Sequence, residues 1–254
     1  MARSITYTAL PNIPLVEPGD DLSMIIKAGL AEAGLALQDG DVIVLAQKIV
    51  SKSENRYVDL ATVIPSPRAK ELAAVTGKDP RHLEVVLRES SEVLRARANV
   101  IIVAHRLGFV MANAGIDESN ITQDGGHRVL LLPEDPNRSC QQLKHRLEAG
   151  TSVSIGVVMN DSFGRAWRNG VVGVAIGTAG IASLHSMIGK PDLFGRPMIV
   201  TEIAVADELA AAASLLMGQG REGTPVIHVR GFMNPSEPSD ASTLIRAKAT
   251  DMFR

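Results

Sequence analysis

Short apolar runs, punctuated by Gly, Pro and Asp, alternate along this chain with longer stretches of helical periodicity. The runs VIVLA (42–46), VIIVA (100–104), FVMA (109–112), VLLL (129–132), SVSIGVVM (152–159), VVGVAIG (171–177), MIVTEIAV (198–205) and PVIHV (225–229) are rich in β-branched residues and read as buried strands. Helices are predicted between them. Asp20 serves as N-cap for 21–34, with Gly34 near the stop. Ser66 caps a helix over 66–77 that has Pro67 in its first turn and Gly77 at its end. Asp79 and Pro80 repeat that logic for a helix over 79–96. Further helices are predicted over 135–149, 207–217 and 239–252. This alternation points to an α/β or α+β fold and excludes an all-β protein or a helical bundle.

Composition narrows the class. A chain of 254 residues suits one large domain or two closely joined lobes, and 45% hydrophobic residues can bury a substantial core. Aromatic residues make up only 3%, so the core is built from Val, Ile, Leu, Ala and Met. The formal charge is −2 with no long basic block, which argues against nucleic-acid binding. The single cysteine, Cys140, excludes an internal disulfide framework and every CxxC metal motif. The N-terminus lacks the apolar core of a signal peptide, and VVGVAIGTAGIASL (171–184) is too short and Gly-rich to span a bilayer. A cytoplasmic protein with no membrane partner is expected. No internal repeat or low-complexity linker divides the chain, and NPSEPSD (234–240) reads as a surface loop.

Candidate chemistry begins with two carboxylates. Asp117 in NAGIDESN (113–120) and Asp161 in VVMNDSFGR (157–165) each follow an apolar run and are flanked by small or polar residues. Such carboxylates suit a hard cation that also binds substrate phosphates; equally, Asp is a common turn former. The segment LLMGQGREGTP (215–225) is a Gly-rich turn after an Ala/Leu-rich helix. Its glycines let backbone N–H groups approach phosphate oxygens, yet it is no Walker loop, and a helix C-terminus suits a bridging cation better than bare phosphate. A C-cap followed by a turn explains it as well. Lys48 and Lys52, at the end of an apolar strand, could meet an anionic substrate or simply keep the surface soluble. Arg165 and Arg168 can pair with carboxylate or phosphate, or sit in a solvated loop. The six histidines form no zinc pattern, and there is no GxSxG elbow, so nucleophilic hydrolysis has no support.

Taken together, IPLVEPGDDL (13–22), DGDVIVLAQKIVSKSE (39–54), NAGIDESN (113–120), NDSFGRAWRNGVVGVAIG (160–177) and VADELAAAASLLMGQGREG (205–223) resemble the coenzyme F420-0:L-glutamate ligase, or gamma-glutamyl ligase, family. The likeness runs in consistent order from about residue 6 to residue 231. It implies an unusual two-lobed, mixed-sheet α/β fold without a P-loop, and a homodimer. It implies an enzyme that joins L-glutamate to a carboxylate of a deazaflavin coenzyme precursor, F420-0, while GTP is hydrolysed to GDP and phosphate. Further γ-linked glutamates can follow. The implied cofactors are Mg²⁺ or Mn²⁺, two per site, and K⁺.

Carried over by position, the resemblance places metal carboxylates at Asp117 and Asp161 and a second cation at Ser162 and Gln219. Nucleotide contacts fall on Ile13, Pro14, Leu15, Val16, Gln47, Lys48, Lys52 and Asn120. They continue through the loop of Met217, Gly218, Gln219, Gly220, Arg221, Glu222, Gly223 and Thr224. Asp117, Asp161 and Lys52 form the implied catalytic set. Some members have Ser-Thr in place of Gln47-Lys48 and Glu in place of Gln219; the neutral Gln implies weaker hold on the second cation. Some relatives carry a C-terminal flavin reductase domain, which a chain ending at Arg254 is expected to lack. Two other readings fit the Asp pair: a metal-dependent nucleotide phosphohydrolase and a non-catalytic GTP-binding module.

Overall fold

The computed structural model describes residues 3–121 and 126–253. The N-terminal part supplies β1 (Thr6–Ala9), α1 (Leu22–Glu32), β2 (Val42–Ala46) and α2 (Gln47–Ser53). A middle segment follows with β3 (Tyr57–Asp59), α3 (Pro67–Thr76), α4 (Pro80–Arg88), β4 (Ser90–Arg97), β5 (Val100–His105), β6 (Val110–Ala112) and β7 (Arg128–Leu130). The chain closes with α5 (Pro136–Glu148), β8 (Gly156–Arg165), β9 (Arg168–Ala179), β10 (His185–Ser186), β11 (Glu202–Ile203), α6 (Val205–Met217) and β12 (Val226–Arg230).

The main sheet has the order β1-β12-β2-β8-β9. β2 and β8 run parallel and every other neighbour is antiparallel, so the sheet is mixed, as expected. Both faces are covered, which explains why β2 is apolar at successive positions rather than alternating. Ile43, Leu45, Val157, Met159 and Ile176 face one core, closed by Leu22, Ile26 and Leu30 of α1 and Cys140, Leu143 and Leu147 of α5. Val42, Val44, Val158, Ala175 and Ile227 face the other, closed by α6 through Val205, Leu209, Ala210, Ala213 and Met217. Both helices approach β9 at glycines. A Cβ at Gly173 would stand 2.2 Å from Ser214 Oγ and 2.5 Å from the carbonyl oxygen of Ala210 on α6. One at Gly177 would stand 2.5 Å from the carbonyl oxygen of Pro136 at the start of α5.

The middle segment has its own core of Leu60, Leu72, Leu83, Val86, Ile101, Val103, Val129 and Leu131. It sits under the β3–β7 and β4-β5-β6 sheets and helices α3 and α4.

Several expectations need correction. The helix predicted over 79–96 stops at Arg88, and Ser90–Arg97 is β4. Pairing with β5 overrides the helix-forming Glu, Leu, Arg and Ala of that stretch. The strand predicted over 198–205 shrinks to Glu202–Ile203, because Ile199 and Val200 lie exposed on a projecting arm. The helix predicted over 239–252 is only two 3₁₀ turns, Ala241–Leu244 and Lys248–Thr250. The N-cap of α1 is Asp21, whose carboxylate accepts from Ser23 N; Asp20 instead accepts from Glu17 N. Lys48 and Lys52 do not end a strand, for β2 gives way to α2 at Gln47.

Candidate active site

Asp161 lies inside β8. On one face of the sheet, the Asn160 side chain donates to Ser214 Oγ (3.1 Å) and Met217 Sδ (3.3 Å) of α6. The next residue turns to the opposite face by strand alternation, which carries Asp161 toward α2 and Asp117. Asp161 Oδ1 accepts from Ser162 N at 2.7 Å. Burial, and then the negative charge of Asp117, push its carboxyl up to about 7.

Asp117 is delivered by an unusual turn. Asn113, Ala114 and Gly115 all have left-handed φ, at 52°, 55° and 66°. Such a conformation is costly for the buried Ala114 and therefore has to be imposed by its surroundings. At Gly115 a Cβ would come 2.9 Å from Met111 Cε and 3.1 Å from Leu132, so the turn is closely packed. Reciprocal backbone bonds of 2.9 Å between Asp117 and Leu130 then fix its position.

Helix α2 supplies the partners. Gln47 Nε2 donates to Asp117 Oδ2 at 2.7 Å, and Lys48 Nζ lies 3.3 Å from Oδ1. Ser51 Oγ donates to Gln47 Oε1 at 2.8 Å, leaving the amide nitrogen to face the carboxylate. Burial raises the Asp117 carboxyl, with Lys48, Gln47 and Lys52 pulling the other way. Lys52 is 9% exposed; burial and then Lys48 push its ammonium pKa down, while Glu17 and Asp117 oppose.

The remaining loops are tied to this centre. Lys48 Nζ also donates to the carbonyl and hydroxyl oxygens of Ser119, at 3.0 and 3.2 Å. Asn120 Nδ2 donates to Gly220 O at 3.1 Å, across 100 residues of sequence. Ser162 Oγ donates to Gln219 Oε1 at 2.8 Å. Glu222 accepts from Gly220 N (2.8 Å) and Thr224 Oγ1 donates to Leu216 O (2.8 Å), which folds the 218–224 loop onto the end of α6. Four distant segments thus meet: 47–52, 113–120, 160–162 and 217–224.

Among the carried-over residues, Asp117, Asp161, Ser162, Gln47, Lys48, Lys52, Asn120, Gln219 and Gly220 are linked by these contacts. Met217 is largely a core residue, and Arg221 is exposed. The 13–16 stretch makes no polar side-chain contact there: Val16 is core, while Pro14 and Leu15 are exposed. Its connection runs through Glu17, which acts on Lys52, and through Gly19 N donating to Ser53 O at 2.9 Å. Sequence reading missed Ser51, Ser119, Glu17 and Asn160. Ser51 stands four residues after Gln47, a spacing that signals contact only once α2 is known to be helical.

The donor set fits a hard divalent cation. Two carboxylates, a hydroxyl and an amide carbonyl are all oxygen donors, and both carboxylates are raised by burial. Among the described residues no cluster of three or more His, Cys, Asp or Glu forms a closed cage.

The profile of the F420-0:gamma-glutamyl ligase family matches residues 11–231. This chain belongs to the F420-0:gamma-glutamyl ligase family. A coenzyme F420:L-glutamate ligase of Methanothermobacter thermautotrophicus is 44% identical over 252 residues, covering 98% of this chain and 99% of that protein. One of Methanopyrus kandleri is 46% identical over 243 residues, 94% of this chain and 93% of that protein. A third, of Methanocaldococcus jannaschii, is 43% identical over 218 residues, 86% of each. Membership makes the chain a ligase by family, and all four converging segments lie inside the matched region.

Proposed function

We propose that this protein joins the amine of L-glutamate to the terminal carboxylate of F420-0 with hydrolysis of GTP, in the cytoplasm, and can extend the product by further γ-linked glutamates. The observation that carries this reading is the joining of Asp117 and Asp161 with two lysines and a Gly-rich loop in one cluster. The relatives' names supply the substrates.

A carboxylate does not acylate an amine at neutral pH because oxide is a poor leaving group. Attack of the F420-0 carboxylate on the γ-phosphorus of GTP, with GDP leaving, gives an acyl phosphate. The glutamate amine then attacks the acyl carbon, phosphate leaves, and an amide remains. The protein's contribution to such a sequence is positioning and charge. Divalent cations held by Asp117, Asp161, Ser162 and Gln219, with K⁺ beside them, would supply charge neutralisation for the phosphates. Lys48 and Lys52, one helical turn apart, add two positive charges on the same face of α2. Lys52 is buried, so its charge is weakly screened. Gln47, clamped by Ser51, orients Asp117. In the loop of Gly218, Gly220 and Gly223, the Gly220 N–H is held by the Glu222 carboxylate at 2.8 Å, so a phosphate oxygen would take that amide by displacing Glu222.

We further propose that the protein works as a homodimer. The arm between β10 and β11 supports this: Leu193 is 99% and Phe194 87% exposed at its tip.

The test is mass spectrometry of purified protein with F420-0, L-glutamate, GTP and Mn²⁺. One or more glutamyl units added to F420-0, with matching GDP formation, is the expected result. Phosphate release that is indifferent to glutamate and F420-0 would instead make the protein a phosphohydrolase. GTP binding without turnover would make it a binding module.

A further inference from the structure

The β8–β9 hairpin extends beyond the sheet to a tip at Ala166 and Trp167, closed by the Arg165–Arg168 pair. Trp167 is 88% exposed, so packing against the described residues does not account for it. Its φ is 66°, a left-handed conformation in which turns normally place Gly or Asn and a bulky residue is disfavoured. Folding alone would not select tryptophan there. Unfavoured conformations of this kind cluster at sites that bind or react.

Its neighbours sharpen the point. Arg165 and Arg168 flank Trp167 in sequence and pair with each other at the strand ends. The Arg165 guanidinium donates to the carbonyl of Asn169 at 3.4 Å, and among the described residues neither arginine has a carboxylate partner. The tip therefore combines an aromatic face with two cations that lack a carboxylate partner among the described residues, which suits a flat aromatic anion. It is also continuous with the chemistry. Asp161 and Ser162 sit six and five residues back on the same strand, and Phe163, which shares a face with Asp161, packs against Phe109 at 6.5 Å. At about 3.3 Å per residue, the tip lies roughly 20 Å from Asp161 along β8. An acceptor bound at both places would be elongated, with an aromatic body at one end and a reactive carboxylate at the other.

We propose that Trp167, with Arg165 and Arg168, is the docking platform for the deazaflavin head of the acceptor. The ring stacks on the indole, its anionic substituents face the guanidinium groups, and its carboxylate end runs along the hairpin toward Asp161. This rests on the reading of the chain as an F420-0 ligase and adds where the acceptor's far end is held. Trp167 is a specificity residue that acts on binding of one substrate.

Trp167 is the only tryptophan in the chain, so tryptophan fluorescence, excited where the two tyrosines do not absorb, reports on the tip alone. With F420-0 varied and GTP, L-glutamate and Mn²⁺ saturating, Trp167→Ala is expected to raise KM for F420-0 about tenfold, with kcat and the KM values for GTP and glutamate within about twofold. Trp167→Phe is expected to recover most of the loss. F420-0 is expected to quench wild-type fluorescence saturably, after inner-filter correction with free N-acetyltryptophanamide, whereas glutamate leaves it unchanged. An unchanged KM for F420-0 in Trp167→Ala overturns the proposal. So does a Trp167→Ala defect that coincides with dissociation in sedimentation runs, since the indole would then face a second copy of the chain. Should the wild-type protein form no glutamylated product at all, the ligase reading itself falls. Product formation with a Trp167→Ala enzyme identical to wild type removes only the docking platform.

Discussion

Asp161 is a half-buried carboxylate held beside another carboxylate, and that is a poor arrangement for stability. Asp161→Asn is therefore expected to leave the metal-free melting temperature equal to or above that of the wild type. Glutamate ligation at limiting Mn²⁺ should fall on the order of a hundredfold or more, since losing even an indirect metal contact costs 10–100-fold. Near-normal ligation would remove Asp161 from the site. Ser51 is the opposite case, a small residue with a supporting role. Ser51→Ala leaves the carbonyl oxygen of the buried Gln47 without its hydroxyl donor, and is expected to lower stability by about 1–2 kcal/mol in denaturant titration and to reduce ligation. At this scale the sequence was informative about acidic residues and silent about their supports. Asp117 and Asp161 stand out as polar residues after apolar runs. Ser51 carries no such signature, because its role exists only if residues 47–53 are helical.

Elements were legible where local chemistry and tertiary packing agree. Ser66, Pro67 and Gly77 bound α3 as predicted, and Asp79 with Pro80 starts α4. Where they conflict, packing prevails: Ser90–Arg97 has helix-forming residues yet pairs with β5, and Ile199 and Val200 look like core while being exposed. The contact between α6 and β9 makes a prediction. Gly173→Ala puts a methyl against the backbone of Ala210, which a side-chain rotation cannot relieve. A loss of about 1–3 kcal/mol is expected, and an unchanged unfolding midpoint would mean that α6 shifts freely. The start of β2 makes another. Buried Asp41 accepts from Arg230 Nη2 at 2.7 Å and lies 2.8 Å from His228 Nε2, tying β2 to β12. Burial raises its carboxyl, but Arg230, His228 and the Gln38 amide outweigh burial and hold it below the usual 3.8. A lowered folded-state value stabilises above 3.8, and the benefit disappears as pH falls through that lower value. Asp41→Asn is thus expected to lose about 3 kcal/mol at pH 7 and to show a shallower acid limb below pH 4 in unfolding titrations.

For the molecule as a whole, the decisive feature is convergence. Residues 47, 117, 161 and 219 come together because β2 and β8 are adjacent parallel strands and α6 ends beside them. No local pattern encodes that, so the sequence disclosed the site only through five segments in family order. The same scale raises the question of the arm. Its two legs are joined by a few backbone bonds, Gly189 N donating to Met198 O and Met198 N to Lys190 O at 2.8 and 2.9 Å, and by an isolated Pro191–Pro197 bridge. A two-stranded excursion of this kind is marginal in water on its own, and the exposed Leu193 and Phe194 add an apolar surface that none of the described residues covers. Burial against a second copy, as proposed, would offset both costs at once. The wild type is expected to sediment at twice the 27.0 kDa chain mass, and the Leu193→Asp, Phe194→Asp double variant at the chain mass. If the double variant remains dimeric, the arm is not the contact; if the wild type is monomeric at micromolar concentration, the homodimer itself is excluded. Because the arm emerges between β9, which pairs with the strand of Asp161, and α6, which leads into the 218–224 loop, dimer loss is also expected to lower ligation without altering any residue proposed to meet the phosphates.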